Sequence, residues 1–190
     1  MFLDESTKNS SWNIYRCQVC DHVYLGNEKP DVCPHCGSNG SELKDPELWE
    51  EITEVAINDD MEDKLKLAIK MELEDMNRYE AMLEECEERK ELRNIAIMRR
   101  ISSHEDEHAE LIADLIEMDE EQFEELEEEA EYKGSLELNE FLAHSIKKEL
   151  EAIELYEYIS MNTNDPNVEY IFTNLIDAEQ EHRKIIETMK

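Results

Sequence analysis

Two sets of residues in this 190-residue sequence have the types and spacing to hold metal ions. The first is Cys17-x-x-Cys20, followed after twelve residues by Cys33-x-x-Cys36. Each pair suits the tip of a tight turn, and two such turns can place four thiolates tetrahedrally around one ion. Zinc there would be structural and inert, whereas iron could carry one electron; on spacing alone zinc is the commoner occupant. The second set contains two Glu-x-x-His units, Glu105/His108 and Glu179/His182, together with Glu72 and Glu149. A spacing of three puts both side chains of a unit on one helix face, where they can grip the same ion.

The Glu-x-x-His spacing alone is weak, because with 51 acidic residues in 190 any histidine has an acid three places before it about one time in four. Position carries more weight. Four apolar stripes with alternating steps of three and four run along the chain: Met61–Leu65–Ala68–Glu72–Asp75–Tyr79–Met82–Cys86, Met98–Ile101–Glu105–His108–Ile112–Leu115, Leu138–Leu142–Ser145–Glu149–Ala152–Tyr156–Ile159 and Val168–Phe172–Leu175–Glu179–His182–Ile186–Met189. Each is the core seam of a bundle helix. Glu72, Glu105, Glu149, Glu179 and both histidines occupy seam positions where Leu or Ile belongs. Burying an unpaired carboxylate costs several kcal/mol, so four facing each other need compensation. Two divalent cations balance four carboxylates and two neutral imidazoles.

Heights along the bundle agree. The midpoint between Glu149 and Glu179 falls at 164, on the turn sequence Asn164-Asp165-Pro166; that between Glu72 and Glu105 falls at 88.5, predicting a turn near Glu88-Arg89-Lys90 although no Gly or Pro marks it. Were residues 61–116 one unbroken helix, Glu72 and Glu105 would lie ~50 Å apart, and only a swapped dimer could build the site. Tyr79 and Tyr156 each follow a seam glutamate by seven residues. They are either core packing or phenols donating to a metal-bound carboxylate; the second reading is preferred because a buried hydroxyl needs a partner. Asp75 is a further ligand, a hydrogen-bond partner to one, or a residue at the wet edge of the seam. Cys86 reads as a small buried side chain. His22 and His35 read as surface or loop residues of the cysteine region.

The elements that position these groups follow from punctuation. Residues 1–45 hold all four paired cysteines and three of the four glycines, and form a small separate metal domain closed by the loop Gly37-Ser38-Asn39-Gly40-Ser41. Asp45-Pro46 starts a short linking helix running through Trp49 to about Val55, and Asn58-Asp59-Asp60 marks the next start. Residues 46–190 form a four-helix domain. Its second and third helices are joined by a long acidic crossover over Met118–Gly134, with room for a helix of its own, and Gly134-Ser135 opens the third helix.

Composition bounds the function. Charged residues make up 37% of the chain and only four Gly and four Pro occur, a balance that favours long helices. The net charge of −32 repels nucleic acid and anionic membranes, so neither is an expected partner. No run of ~18 apolar residues and no leader pattern occurs, which leads to an expected cytoplasmic location and, in a reducing compartment, to metal-bound rather than disulfide-bonded cysteines.

These motifs resemble the rubrerythrin family over nearly the whole chain. The Cys-x2-Cys-x12-Cys-x2-Cys pattern is similar to its rubredoxin-like, zinc-ribbon-type domain; Met71-Glu72 through Asn77-Arg78-Tyr79, Glu105-Asp106-Glu107-His108-Ala109 and Glu179-Gln180-Glu181-His182 look like its di-iron helices. The resemblance implies a mainly α, ferritin-like four-helix bundle behind an N-terminal rubredoxin-like domain. It implies one iron at Cys17, Cys20, Cys33 and Cys36, with zinc as the alternative, and two irons in the bundle. It further implies reduction of hydrogen peroxide with electrons passing through the cysteine-bound iron from an external reductase or small redox protein, and a homodimer. Two departures stand out. The rubredoxin-like domain leads the chain, as in the variants called reverse rubrerythrins, and Ala152 stands where the family usually has a second glutamate. Four Glu and two His are similar to the bacterioferritin set, which keeps open a ferroxidase or iron-handling role with oxygen or peroxide as oxidant. A non-catalytic alternative has zinc in the cysteines and a structural metal pair in the bundle.

Overall fold

The computed structural model describes residues 13–20, 22–26, 28–35, 37–48, 57 and 59–189. Near the N-terminus three short strands, β1 (Asn13–Cys17), β2 (Val23–Gly26) and β3 (Leu43–Lys44), form an antiparallel sheet in the order β2-β1-β3. Cys17 ends β1 and pairs with Leu43, so the sheet anchors the first cysteine turn, and Val32 bridges Asn39 to close the second. Tyr15, Cys17, Val19, Cys33 and Leu43 are buried inside this small module. The exit loop includes a 3-10 turn at Gly40–Glu42. Asp45 starts a second such turn, Pro46–Leu48, its carbonyl accepting from Leu48 N–H at 2.8 Å. The linking helix expected to run through Trp49 to Val55, and Cys36, lie outside the described residues.

The remainder is helical: α1 (Asp59–Arg89), α2 (Leu92–Leu115), α3 (Glu120–Glu129), α4 (Leu138–Asn162) and α5 (Pro166–Glu187). Every expected seam residue is buried except Leu138, which is half-buried. The unpunctuated turn between α1 and α2 falls at Lys90, which takes a left-handed conformation with φ 59°. Glu91 N–H reaches back to the Cys86 carbonyl at 3.0 Å and Lys90 N–H to that of Glu87 at 3.1 Å. That is a Schellman closure built without glycine. The same pair of bonds ends α2, with Glu117 at φ 50° and Met118 N–H on the Ala113 carbonyl at 3.0 Å.

The acidic crossover contains α3, capped by Asp119, whose carboxylate accepts from Gln122 N–H at 2.9 Å. No residue of α3 is fully buried; its Phe123 and Leu126 lie half-buried against the core, and Asn77 of α1 holds the Ala130 carbonyl at 2.9 Å. Helix α4 begins at Leu138 rather than at Gly134-Ser135, because the Glu137 side chain caps Glu140 N–H at 3.1 Å. Asp165 caps α5, accepting from Asn167 N–H at 2.9 Å, and Pro166 lies in the first turn of the helix, so the expected turn at Asn164-Asp165-Pro166 also opens α5. Helices α1 and α2 pack as one hairpin, α4 and α5 as another, and α1 packs on α4. Two apolar clusters fill the bundle, one around Leu65, Leu73, Ile112 and Phe172, the other around Met82, Met98, Phe141 and Ile186. A layer of buried charged and polar side chains lies along the seams between them. Among the described residues, no helix is long and apolar enough to cross a membrane.

Candidate metal centre

The polar layer is built by four helices that each contribute at seam spacing. Glu72 comes from α1, Glu105 and His108 from α2, Glu149 from α4, and Glu179 and His182 from α5; none of the six is more than 2% exposed. Their ligand atoms form two groups, each within 4.8 Å: Glu72, Glu105, His108 and Glu179, and Glu105, Glu149, Glu179 and His182. Glu105 and Glu179 belong to both. The two Glu-x-x-His glutamates are therefore common to both groups, and one outer glutamate and one histidine belong to each group alone.

The histidines point inward through Nδ1. His108 Nδ1 lies 3.1 Å from Glu179 and 3.5 Å from Glu105, and His182 Nδ1 lies 3.0 Å from Glu179 and 3.2 Å from Glu105. The outer carboxylates divide their oxygens. Glu72 Oε1 accepts from the Tyr156 hydroxyl while Oε2 faces His108; Glu149 Oε1 accepts from the Tyr79 hydroxyl while Oε2 faces His182. Each tyrosine thus serves the glutamate of the opposite helix, an exchange that antiparallel α1 and α4 produce. Phe141 packs edge-on against Tyr79 with ring centres 5.9 Å apart, and Phe172 does the same to Tyr156 at 5.2 Å.

The electrostatics are those of carboxylates and imidazoles packed together out of water. Burial, then Glu179, pushes Glu72 well above the usual carboxylate range; burial, then Glu105 and Glu179, does the same to Glu149. Burial also acts to raise Glu105 and Glu179, but the imidazoles beside them outweigh it and hold both low. Burial works against charge on His182, yet Glu105 and Glu179 carry it up to about 9, and the same glutamates with Glu72 raise His108. Both oxygens of Glu105, both nitrogens of His108, Glu149 Oε2 and Glu179 Oε1 are buried without a hydrogen-bond partner. Such orphans are costly. Carboxylate and imidazole donors at this spacing fit a pair of divalent transition ions.

Asp75 is not in either group. It pairs with Arg78, one turn on along α1 and only 1% exposed, and Arg78 also reaches Ser145 Oγ at 3.2 Å and Glu149 at 3.5 Å. Burial lifts Asp75 to about 6 against the pull of Arg78. Asp75 is buried rather than at a wet edge, and it reaches the cage only through Arg78, which contacts Glu149. The seam pattern passes over Arg78, although a basic residue beside a seam tyrosine, three places after a seam aspartate, was a usable signal. It also passes over His104, which is 3% exposed with Nδ1 3.1 Å from His182 Nε2. Its position four residues before His108, on the same helix face, could have marked it. Burial and the nearby His182 and His108 lower His104 to about 3, so it stays neutral and its Nδ1 can accept a hydrogen bond from His182 Nε2–H.

In the cysteine module, Cys17, Cys20 and Cys33 bring their sulfurs within 4.8 Å of one another. Val19 N–H donates to Cys17 Sγ at 3.4 Å, and Gly37 N–H to the Cys33 carbonyl at 3.1 Å. Gly37 has φ 72° and faces the bundle: a β-carbon there would meet Glu181 at 3.7 Å and the His104 ring at 4.0 Å. His22 and His35 are half-buried loop residues, as expected, and His35 contacts Glu107 of α2. Cys86 is buried, as expected of a packing residue.

Comparisons with known proteins agree with this arrangement. Residues 15–43 match the model of the rubrerythrin rubredoxin-like domain, and residues 140–190, which span nearly all of α4 and all of α5, match the rubrerythrin model. No curated protein and no solved structure matches the chain. The chain thus carries a stretch similar to the rubrerythrin rubredoxin-like domain ahead of a helical stretch similar to the rubrerythrin di-iron domain.

Proposed function

We propose that the chain is a non-haem di-iron peroxidase that reduces hydrogen peroxide in defence against oxidative stress. Glu72 and His108 would hold one iron and Glu149 and His182 the other, with Glu105 and Glu179 between them; Cys17, Cys20, Cys33 and Cys36 would hold a single iron. Residues 1–45 and 46–190 are then the electron-receiving and reacting modules. Iron, when bound, supplies the two electrons that convert hydrogen peroxide to water with uptake of two protons. The chain's own residues do the rest. Tyr79 and Tyr156 hold Glu149 and Glu72 in place, and burial together with Glu149 keeps the Tyr79 phenol protonated so that it donates. His104 fixes the tautomer of His182 by taking its outer N–H. The apolar clusters on either side exclude bulk water.

One observation carries the peroxidase reading: the Gly37 loop of the cysteine module is seated against His104, itself on His182. An electron carrier attached at the wall of the bundle site suits repeated reduction of an oxidant. A storage role gains little from it. The external donor would be a reductase or small redox protein; the reading also includes a cytoplasmic homodimer. The test is stopped-flow mixing of the fully reduced, iron-loaded protein with peroxide, followed by the colour of the cysteine-bound iron. Peroxide should return that colour faster than an equal concentration of dioxygen; an equal or slower rate would overturn the assignment.

Ala152 supports a second reading, a ferroxidase, since the cage then has the symmetric four-glutamate set. Sustained oxidation of added iron(II) by oxygen, with the cysteine site blocked by zinc, would favour it.

A further inference from the structure

The ligands of the cage are symmetric, one outer glutamate and one histidine to each group, but their surroundings are not. Helices α1 and α4 each carry a seam glutamate and, seven residues on, the tyrosine that serves the other helix's carboxylate. With those glutamates set in register, α1 has Ala68, Asp75 and Arg78 where α4 has Ser145, Ala152 and Leu155. The polar members, Asp75, Arg78 and Ser145, are all buried and meet in one place. Arg78 pairs with Asp75 through Nη1, donates from Nε to Ser145 Oγ at 3.2 Å and lies over the Tyr79 ring at 4.7 Å. Its Nη2, buried with no hydrogen-bond partner, faces Glu149 Oε1 at 3.5 Å. At the matching places Ala68, Ala152 and Leu155 have side chains that offer neither charge nor a hydrogen bond.

Glu149 Oε1 is therefore engaged twice, by the Tyr79 hydroxyl and by a guanidinium. Glu72 Oε1 accepts from the Tyr156 hydroxyl, and no arginine or lysine among the described residues pairs with Glu72. A carboxylate set against a fixed positive charge is a weaker base, and it gives less of its charge to a metal ion. Asp75 offsets part of the guanidinium charge, but it holds Nη1 rather than the Nη2 that faces Glu149, and it belongs to neither ligand group.

We propose that Arg78, held by Asp75 and Ser145, makes the two metal positions unequal. It is a positioning residue acting through Glu149, so the position of Glu72 and His108 is the tighter one and fills first. The looser position is the one whose histidine bears His104, on the side of the Gly37 loop. The inference rests on the cage holding two ions and not on what they reduce.

The test uses the full chain with ¹⁵N-labelled histidine, zinc in the cysteine site and the bundle cleared by chelator. Zn²⁺ is added stepwise. The Nδ1 resonances of His108 and His182, assigned with His108→Gln and His182→Gln, report the two positions. His108 should shift over the first equivalent and His182 over the second, with affinities about tenfold or more apart. Repulsion between two ions also separates their affinities, but it does not select a histidine. The Asp75→Ala/Arg78→Leu/Ser145→Ala variant gives α1 and α4 the same residues at all three places and strands no charge. Its two histidines should shift in parallel. Arg78→Lys keeps the charge beside Asp75 but lacks the second edge of the guanidinium, and should narrow the gap with the helical signal intact. Histidines shifting together in the wild type, His182 shifting first, or an order and gap unchanged in both variants would overturn the proposal. Uptake of a single zinc by the bundle would instead overturn the two-ion reading beneath it.

Discussion

Loading the bundle with metal should expel about four protons per chain at neutral pH. Without metal, burial favours the neutral form of Glu72 and Glu149, while Glu105 and Glu179 favour the imidazolium form of His108 and His182. Two neutral carboxyls, two carboxylates and two imidazoliums leave the buried layer with no net charge. Two divalent ions need four carboxylates and two neutral imidazoles for the same balance, so two carboxyl and two imidazolium protons must leave. The assay is calorimetry of Zn²⁺ binding in buffers of different ionisation enthalpy, with Glu105→Ala/Glu179→Ala subtracted to remove the protons released by the cysteines. A difference near four at pH 7 is expected, falling by about half a proton near pH 9, where His182 is half-deprotonated. A difference below one would refute the reasoning, since the cage would then be ionised without its metals. The same shift sets the stability of the metal-free protein. A histidine raised from 6.5 to about 9 contributes up to about 3 kcal/mol below its unfolded pKa, lost as pH rises through about 9. Melting of chelator-treated protein should therefore fall from pH 6.5 to pH 9.

Three further outcomes follow from particular contacts. Tyr79→Phe and Tyr156→Phe each remove the donor to an outer glutamate, and each should lower metal affinity by roughly 10–100-fold in chelator competition while leaving the helical signal intact. Arg78→Met strands Asp75 in the interior and should destabilise by about 3–5 kcal/mol in urea titrations, with recovery in Arg78→Met/Asp75→Asn. Lys90→Gly relieves a left-handed residue at the end of α1 and should stabilise by about 1 kcal/mol, read as a shift in urea midpoint without change in metal content.

The sequence by itself determined the bundle and the membership of its cage. Steps of three and four mark a buried face, and six charged or polar residues on such faces stand out because burial without compensation is costly. Equal heights of Glu72 with Glu105 and of Glu149 with Glu179 located both hairpin turns, one of them at Lys90 with no glycine to announce it. The tertiary structure decided the divisions of labour. Periodicity tells which face a residue is on but not which neighbour it meets, so only the packing of α1 on α4 sends Tyr79 to Glu149 and Tyr156 to Glu72. The shared positions of Glu105 and Glu179 were likewise hidden, since every seam glutamate looks alike until four helices meet. Arg78, His104 and the pairing of His35 with Glu107 were beyond reach of spacing for a related reason. Their partners lie on other elements or on another module, and contacts of that kind exist only once the chain has folded.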